Sequence, residues 1–195
     1  MGTDGRLLSR LRRQHASPMR RFRPEVLVAT VLVAVVSGCT TAAGGCAPLI
    51  LDDAQSERLD QWRNGLGFAP VVPCGGRSLH VAGITLDRPA GEPRLTFVVS
   101  ADQTVFLMSQ SRAVRAFTQV PDGARRLSWS VDGIRVTGFE TAGHAGPALL
   151  YLRWEVDSVT YEFQASVTQR YSAAVLRAIA RDNVGRTLVS VTSAS

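Results

Sequence analysis

The chain has 195 residues and a formal net charge of +6, from 22 basic and 16 acidic residues, and every basic residue is an arginine. Most of this charge lies near the N-terminus, since residues 1–38 contain seven arginines against two acids, whereas residues 39–195 contain fifteen arginines against fourteen acids. The near-neutral larger part lacks the basic stripe that phosphate-backbone contacts require, which excludes nucleic acid as an expected partner.

The N-terminal region has the pattern of a secretory signal. Arg20, Arg21 and Arg23 precede an apolar run at residues 26–36. A basic head, an apolar stretch of about 7–15 residues and small residues after it are typical of a cleaved signal, whereas a helix that spans a bilayer needs about 20 apolar residues. The run is therefore predicted to be a signal and not a stable membrane helix.

A cysteine follows directly after the small residues that end this signal. Val36, Ser37, Gly38 and Cys39 together resemble the lipobox of bacterial lipoproteins. In that family the cysteine thiol is alkylated with a diacylglyceryl group, and a peptidase then cuts before the cysteine. The resemblance implies that acyl chains on Cys39 anchor the protein to a membrane, because two or more chains bind stably where a single chain binds marginally. The alternative is an ordinary signal peptide or N-terminal anchor with an incidental cysteine.

These features divide the chain into three predicted parts. Residues 1–38 are the signal peptide, with Met19 as the expected start of translation. Residues 39–48 form a lipidated, flexible tether, and residues 49–195 form a single extracytoplasmic domain that is long enough to bury a core. The resemblance places this domain at the outer face of the plasma membrane, or at the outer membrane of a cell that has two.

Two cysteines remain after Cys39. Cys46 and Cys74 form an even pair in a chain bound for an oxidising compartment, which predicts a disulfide between them. Such a bond would join the start of the tether to the body of the domain. The alternative is a pair of free thiols.

The first predicted element of the domain is a helix within "LDDAQSERLDQWRNG". Asp52 or Asp53 is expected to cap it, Leu59 and Trp62 lie three residues apart on one face, and Gly65 is expected to end it. Its acids could form a metal or acid-base cluster, or they could supply an N-cap and a solvated face. The interpretation as an N-cap and solvated face is favoured. The acids concerned are Asp52, Asp53, Glu57 and Asp60.

From residue 78 onward the apolar period is two, which predicts antiparallel strands. The sequence "ADQ" is expected to join two of them, Asp132 and Gly133 a second pair, and "VDS" a third. The side chains of Leu150, Leu152 and Trp154 are expected to share one face with those of the following strand. The predicted strand segments are 95–99, 105–107, 127–131, 134–136, 148–155 and 159–167.

The last element returns to a helical period. Ser172 is a suitable N-cap for "AAVLRAIARDN", in which Val175, Leu176 and Ile179 form an apolar stripe while Arg177 and Arg181 face water. The final "TLVSVTSAS" is predicted to form a short strand with a disordered end. The fold class is therefore α+β, a single domain with an antiparallel sheet and an N-terminal and a C-terminal helix packed on one face.

The segment "LLYLRWEVDSVTYEFQASVTQRYSAAVLRAIARDN" carries a second, fainter resemblance. It is similar to the closing strand-strand-helix of an uncharacterised bacterial domain family, which occurs in lipoproteins and at the outer ends of membrane-bound anti-sigma factors. The resemblance implies that Trp154, Tyr161 and Phe163 are core residues. Its motif is generic and supports the fold more than any function.

No stretch predicts a catalytic mechanism. The chain contains no Gly-x-Ser-x-Gly motif and, without lysine, no Ser-x-x-Lys motif or P-loop. His80 is expected to face water from a strand, and His144, four residues after Glu140, to lie on a loop. We therefore predict no catalytic residue, no metal site and no cofactor.

These observations favour a non-enzymatic, lipid-anchored protein that binds another envelope protein or a small hydrophobic ligand held between sheet and helix. One alternative is a sensor that resembles an anti-sigma factor outer domain, which requires a transmembrane helix. The other is an envelope hydrolase, which requires a carboxylate beside His80 or His144 in a pocket.

Overall fold

The computed structural model describes residues 46–112, 119–143 and 147–192. Within these ranges the chain forms one seven-stranded antiparallel sheet, in the order β1-β2-β3-β7-β6-β5-β4, and two α-helices, which agrees with the predicted α+β class. The elements in chain order are α1 (Asp53–Leu66), β1 (His80–Asp87), a 3-10 turn (Pro89–Gly91), β2 (Arg94–Ser100), β3 (Thr104–Ser111), β4 (Arg125–Val131), β5 (Ile134–Glu140), β6 (Leu149–Val156), β7 (Val159–Ser166) and α2 (Ala173–Thr192).

Helix α1 begins at a capping box. The Asp52 carboxylate accepts a hydrogen bond from the Gln55 backbone N–H at 2.7 Å, and the Gln55 side chain accepts one from the Asp52 N–H at 3.1 Å. The predicted end at Gly65 is wrong, because the helix continues by one residue to bury Leu66 and ends at Gly67. Gly67 has φ +70°, the left-handed conformation that favours glycine at a helix C-terminus.

The predicted hairpins are confirmed. Asp132 and Gly133 join β4 to β5 with φ values of 46° and 85°, and Asp157 and Ser158 join β6 to β7 with φ values of 48° and 62°. Two successive positive φ values match the right-handed twist of the strands that a tight hairpin connects. The β2 and β3 pair follows the same antiparallel pattern around "ADQ".

The core lies on one face of the sheet. Leu152 is opposite Phe163 and Trp154 is opposite Tyr161 in the register of β6 and β7, so the predicted apolar sets do share a face. The Trp154 and Tyr161 rings stack with centroids 5.6 Å apart. Both helices contribute to the same hydrophobic cluster, in agreement with the prediction that they cover one face.

Helix α2 corrects the prediction for the end of the chain. Residues 187–192 continue the helix and do not form a strand, whereas residues 193–195 lie outside the described ranges. The helix extends because Val184 and Thr187 are buried and continue the apolar side of the helix that packs on the sheet. The Trp154 indole N–H also donates a hydrogen bond to the Thr187 hydroxyl at 3.3 Å. The residues of the buried stripe are Leu176, Ala180, Asn183, Val184 and Thr187.

Two side chains of this helix also differ from expectation. Val175 is 43% exposed and lies outside the buried stripe, because the stripe follows Leu176 at spacings of three and four residues. Arg177 is half-buried and forms an ion pair with Glu140 at 3.3 Å, although it was predicted to face water. Arg181 is exposed, as predicted.

The segment between α1 and β1 is held by buried polar side chains. Gln110 accepts from the Val71 N–H at 2.9 Å and donates to the Val71 carbonyl. Asn183 accepts from the Cys74 N–H at 2.9 Å and donates to the Cys74 carbonyl at 3.0 Å. Because a buried backbone group without a partner is costly, these contacts fix the segment over the core.

Candidate binding site on the open sheet face

The second face of the sheet is mostly polar, and its apolar side chains include the stacked rings of Phe139 and Tyr151. Side chains alternate along each strand, so the residues between the core positions of β2, β3 and β7 point away from the helices. Thr96, Ser109 and Glu162 form one row across these strands, and Thr85 extends the row onto β1. We call this surface the open face, because both described helices pack on the opposite face.

The open face contains a groove with a volume of about 300 Å³. It crosses five neighbouring strands, β1, β2, β3, β7 and β6. Most of its lining is polar, and it includes a cation, two carboxylates and three hydroxyls from serine and threonine. The lining residues are Thr85, Asp87, Arg94, Thr96, Leu107, Ser109, Tyr151, Glu162 and Gln164.

An ion pair fixes one end of the groove. The β1–β2 register places Asp87 opposite Arg94, and Arg94 Nε donates to Asp87 Oδ1 at 2.9 Å while Arg94 Nη2 donates to Asp87 Oδ2. The hydrogen bond that Arg94 donates to Asp87 raises the pKa of Arg94, burial opposes this rise, and the charges of Asp87 and Glu162 add to it. Arg94 therefore presents a permanent positive charge that two carboxylates stabilise.

Further hydrogen bonds orient the rest of the groove. The Tyr151 hydroxyl donates to Glu162 Oε1 at 2.6 Å, and the Thr96 and Ser109 hydroxyls are 2.8 Å apart. Gln164 is exposed beside them. The site thus offers charged groups, an amide and hydroxyls in positions set by the strand register, which suits recognition of a polar partner.

The predicted catalytic candidates do not meet in this groove. His80 is exposed at the start of β1, opposite Ser100, and is absent from the groove lining, so its predicted exposure is confirmed. His144 and Cys39 lie outside the described residues. In the part of the chain that the structure covers, no group of three or more His, Cys, Asp or Glu side chains could hold a metal ion. Asp52 caps α1, and Asp53, Glu57 and Asp60 are exposed along it, which confirms the favoured interpretation.

Cys46 and Cys74 lie at disulfide distance. Their Cα atoms are 5.7 Å apart, within the usual range for a disulfide. Cys74 is fully buried, and Pro48 forms an isolated antiparallel bridge with it. The pair therefore lies where the tether would meet the domain.

The space between the sheet and the helices is filled by the protein's own side chains. Phe97, Phe163 and Leu176 are fully buried there, and Trp154 is 2% exposed. A hydrophobic ligand in this position would displace packed core residues, at the cost of their contacts. The geometry therefore favours the open face over the predicted position between sheet and helix.

Sequence reasoning did not identify the groove. Most of its residues are the polar members of strands in which polar and apolar side chains alternate, and that alternation is visible in the sequence; Leu107 is an exception. Which of them lie side by side depends on the order β1-β2-β3-β7-β6, in which β3 pairs with β7 across an intervening stretch of chain. No local pattern in the sequence predicts that pairing.

Among the described residues, no helix is long and apolar enough to cross a membrane. Searches against protein-family models, curated proteins and solved structures found no significant match.

Proposed function

We propose that this chain is a lipid-anchored extracytoplasmic protein of the non-enzymatic type, and that its open-face groove binds another protein of the cell envelope. The lipobox pattern that ends at Cys39 supports the anchor. The disulfide distance between Cys46 and Cys74 supports export to an oxidising compartment, where we propose that the bond forms.

The observation that carries the binding proposal is the polar groove on the face that the described helices leave uncovered. Arg94 is half-buried and paired with Asp87, so its charge and direction are fixed before a partner arrives. Preorganised charged groups of this kind favour specificity, because a partner that lacks complementary groups would leave them desolvated and unpaired. A protein segment with polar side chains matches this lining better than an apolar ligand does.

Site-specific photo-crosslinking in cells tests the proposal. A photoreactive amino acid at Gln164, in the groove, is expected to trap a discrete envelope protein. The same amino acid at Glu57, exposed on α1, is expected not to trap it. In the Gln164 protein, Arg94→Gln should lower the crosslinked yield about tenfold, because a charged contact at the site is lost.

The control for this substitution is Arg58→Gln, which makes the same chemical change at an exposed position of α1. It should leave the crosslinked yield unchanged. Equal crosslinking from Gln164 and Glu57, or an equal loss in the Arg94 and Arg58 variants, would contradict a specific role of the groove.

A further inference from the structure

A second cluster of polar groups lies on the β4–β5 hairpin. Ser128 on β4 is directly opposite Thr137 on β5. Arg126 comes two residues before Ser128, and Arg135 two residues before Thr137, so all four side chains project from the open face. Because the strands are antiparallel, the two arginines lie on opposite sides of the hydroxyl pair, each about 7 Å from it along its own strand.

These four residues line a groove of about 380 Å³ that contains no acidic side chain. Its remaining lining comes from Val120, Leu127 and Gly138. On the neighbouring strand β6 the same face carries Arg153, opposite Thr137, and Glu155, which lies two residues further on beside Arg135. Within the described ranges Glu155 forms no ion pair with Arg135. The three arginines of this surface outnumber its one acid. The local charge is therefore positive.

Neither arginine is neutralised in the described ranges 46–112, 119–143 and 147–192. Arg126 and Arg135 are both exposed, and within these ranges neither forms an ion pair or a hydrogen bond. By contrast, Arg125, the neighbour of Arg126, is bonded to Glu140 at 2.6 Å on the other face. The lining of the groove thus holds two guanidinium groups and no carboxylate.

We propose that this groove is a binding site for a phosphate group. The planar fork of an arginine matches two phosphate oxygens, and two such forks from opposite sides, with hydroxyls between them, can satisfy a tetrahedral anion. The apolar side chain of Val120 suits the organic part of a phosphate ester. A phospholipid headgroup and free phosphate present the same chemistry.

The test uses the full chain, purified from membranes in a non-ionic detergent. Its thermal unfolding midpoint is followed against inorganic phosphate or glycerol 3-phosphate, with chloride holding the ionic strength constant. A ligand that prefers the folded state raises the midpoint in a saturable way. Arg126→Gln and Arg135→Gln should each weaken the apparent affinity at least about tenfold, because a charged hydrogen bond is lost.

Arg58→Gln is again the matched control, since it removes one exposed positive charge elsewhere. A ¹H–¹⁵N spectrum of the arginine side chains gives a second readout. The Nε–Hε signals of Arg126 and Arg135 are assigned by their absence from the corresponding variants. In the wild type these two signals should shift when the ligand is added. If glycerol 3-phosphate binds more tightly than inorganic phosphate, the proposal is supported and the ligand is a lipid headgroup. If inorganic phosphate binds more tightly than glycerol 3-phosphate, the proposal is supported and the ligand is free phosphate. No saturable response, or an equal loss in Arg58→Gln, would overturn it.

Discussion

Replacing Trp154 with alanine is expected to lower the free energy of unfolding by about 3–5 kcal/mol, the usual range for a large buried aromatic residue. Trp154 is 2% exposed, stacks on Tyr161 and donates to the Thr187 hydroxyl. It therefore joins β6, β7 and α2. Chemical denaturation followed by circular dichroism gives the free energy directly.

Trp62→Ala is the control for this substitution, because Trp62 is only half-buried on α1. It should cost clearly less than the Trp154 change, since less apolar surface returns to water. A loss below about 1 kcal/mol for Trp154→Ala, well under the range for core aromatic residues, would contradict the packing described here.

The same substitution should change the titration of Tyr161. Burial, with a smaller contribution from the charge of Asp157, raises the pKa of Tyr161 from 10.0 to about 12. Because the folded-state pKa is above the unfolded-state value, the stability that Tyr161 contributes is fully present below pH 10 and is lost as the pH rises through about 12. Removal of Trp154 admits water beside the phenol, so its pKa should fall towards the ordinary value, as read from tyrosinate absorbance.

Cys46→Ser is expected to lower the free energy of unfolding by about 3.6 kcal/mol in the loop-entropy model. The two cysteines are 28 residues apart, and a bond between them would restrict the unfolded chain over that loop. Cys46 is the better position to change because Cys74 is fully buried between the contacts of Asn183, where a serine hydroxyl would add a separate cost. Denaturant unfolding of the oxidised protein measures the difference.

Reduction gives an independent control for this prediction. A reducing agent should bring the wild type to about the stability of Cys46→Ser and leave that variant unchanged. A wild type whose stability does not respond to reduction would show that the predicted disulfide does not contribute.

The local elements were predictable from the sequence wherever short-range chemistry determines them. The Asp132-Gly133 turn and the Asp52 cap depend on residues that are adjacent or three apart, and both appear as predicted. The strands of the core were recognised for the same reason, since the alternation of Leu95, Phe97 and Val99 is itself the signal.

The errors arose where tertiary contacts override local preference. Residues 187–192 contain β-branched side chains that favour a strand, yet Thr187 is buried against Trp154 of β6, and this contact keeps the segment helical. Gly65 was expected to end α1, but burial of Leu66 extends the helix to Gly67. The groove across β1, β2, β3, β7 and β6 depends on strand pairing across the sheet, which is a long-range property. The groove on the β4–β5 hairpin is instead lined mostly by a hairpin that the Asp132-Gly133 turn predicts.

The central claim, a lipid-anchored extracytoplasmic protein, is tested most directly by the intact mass of the protein from a membrane fraction. Wild type is compared with Cys39→Ala, each with and without reducing agent. We expect the wild-type mass to fit a chain that begins at acylated Cys39 and to increase by a pair of hydrogen atoms on reduction, whereas the variant lacks the lipid. An unmodified wild-type chain that still carries residues before Cys39 would contradict the anchor.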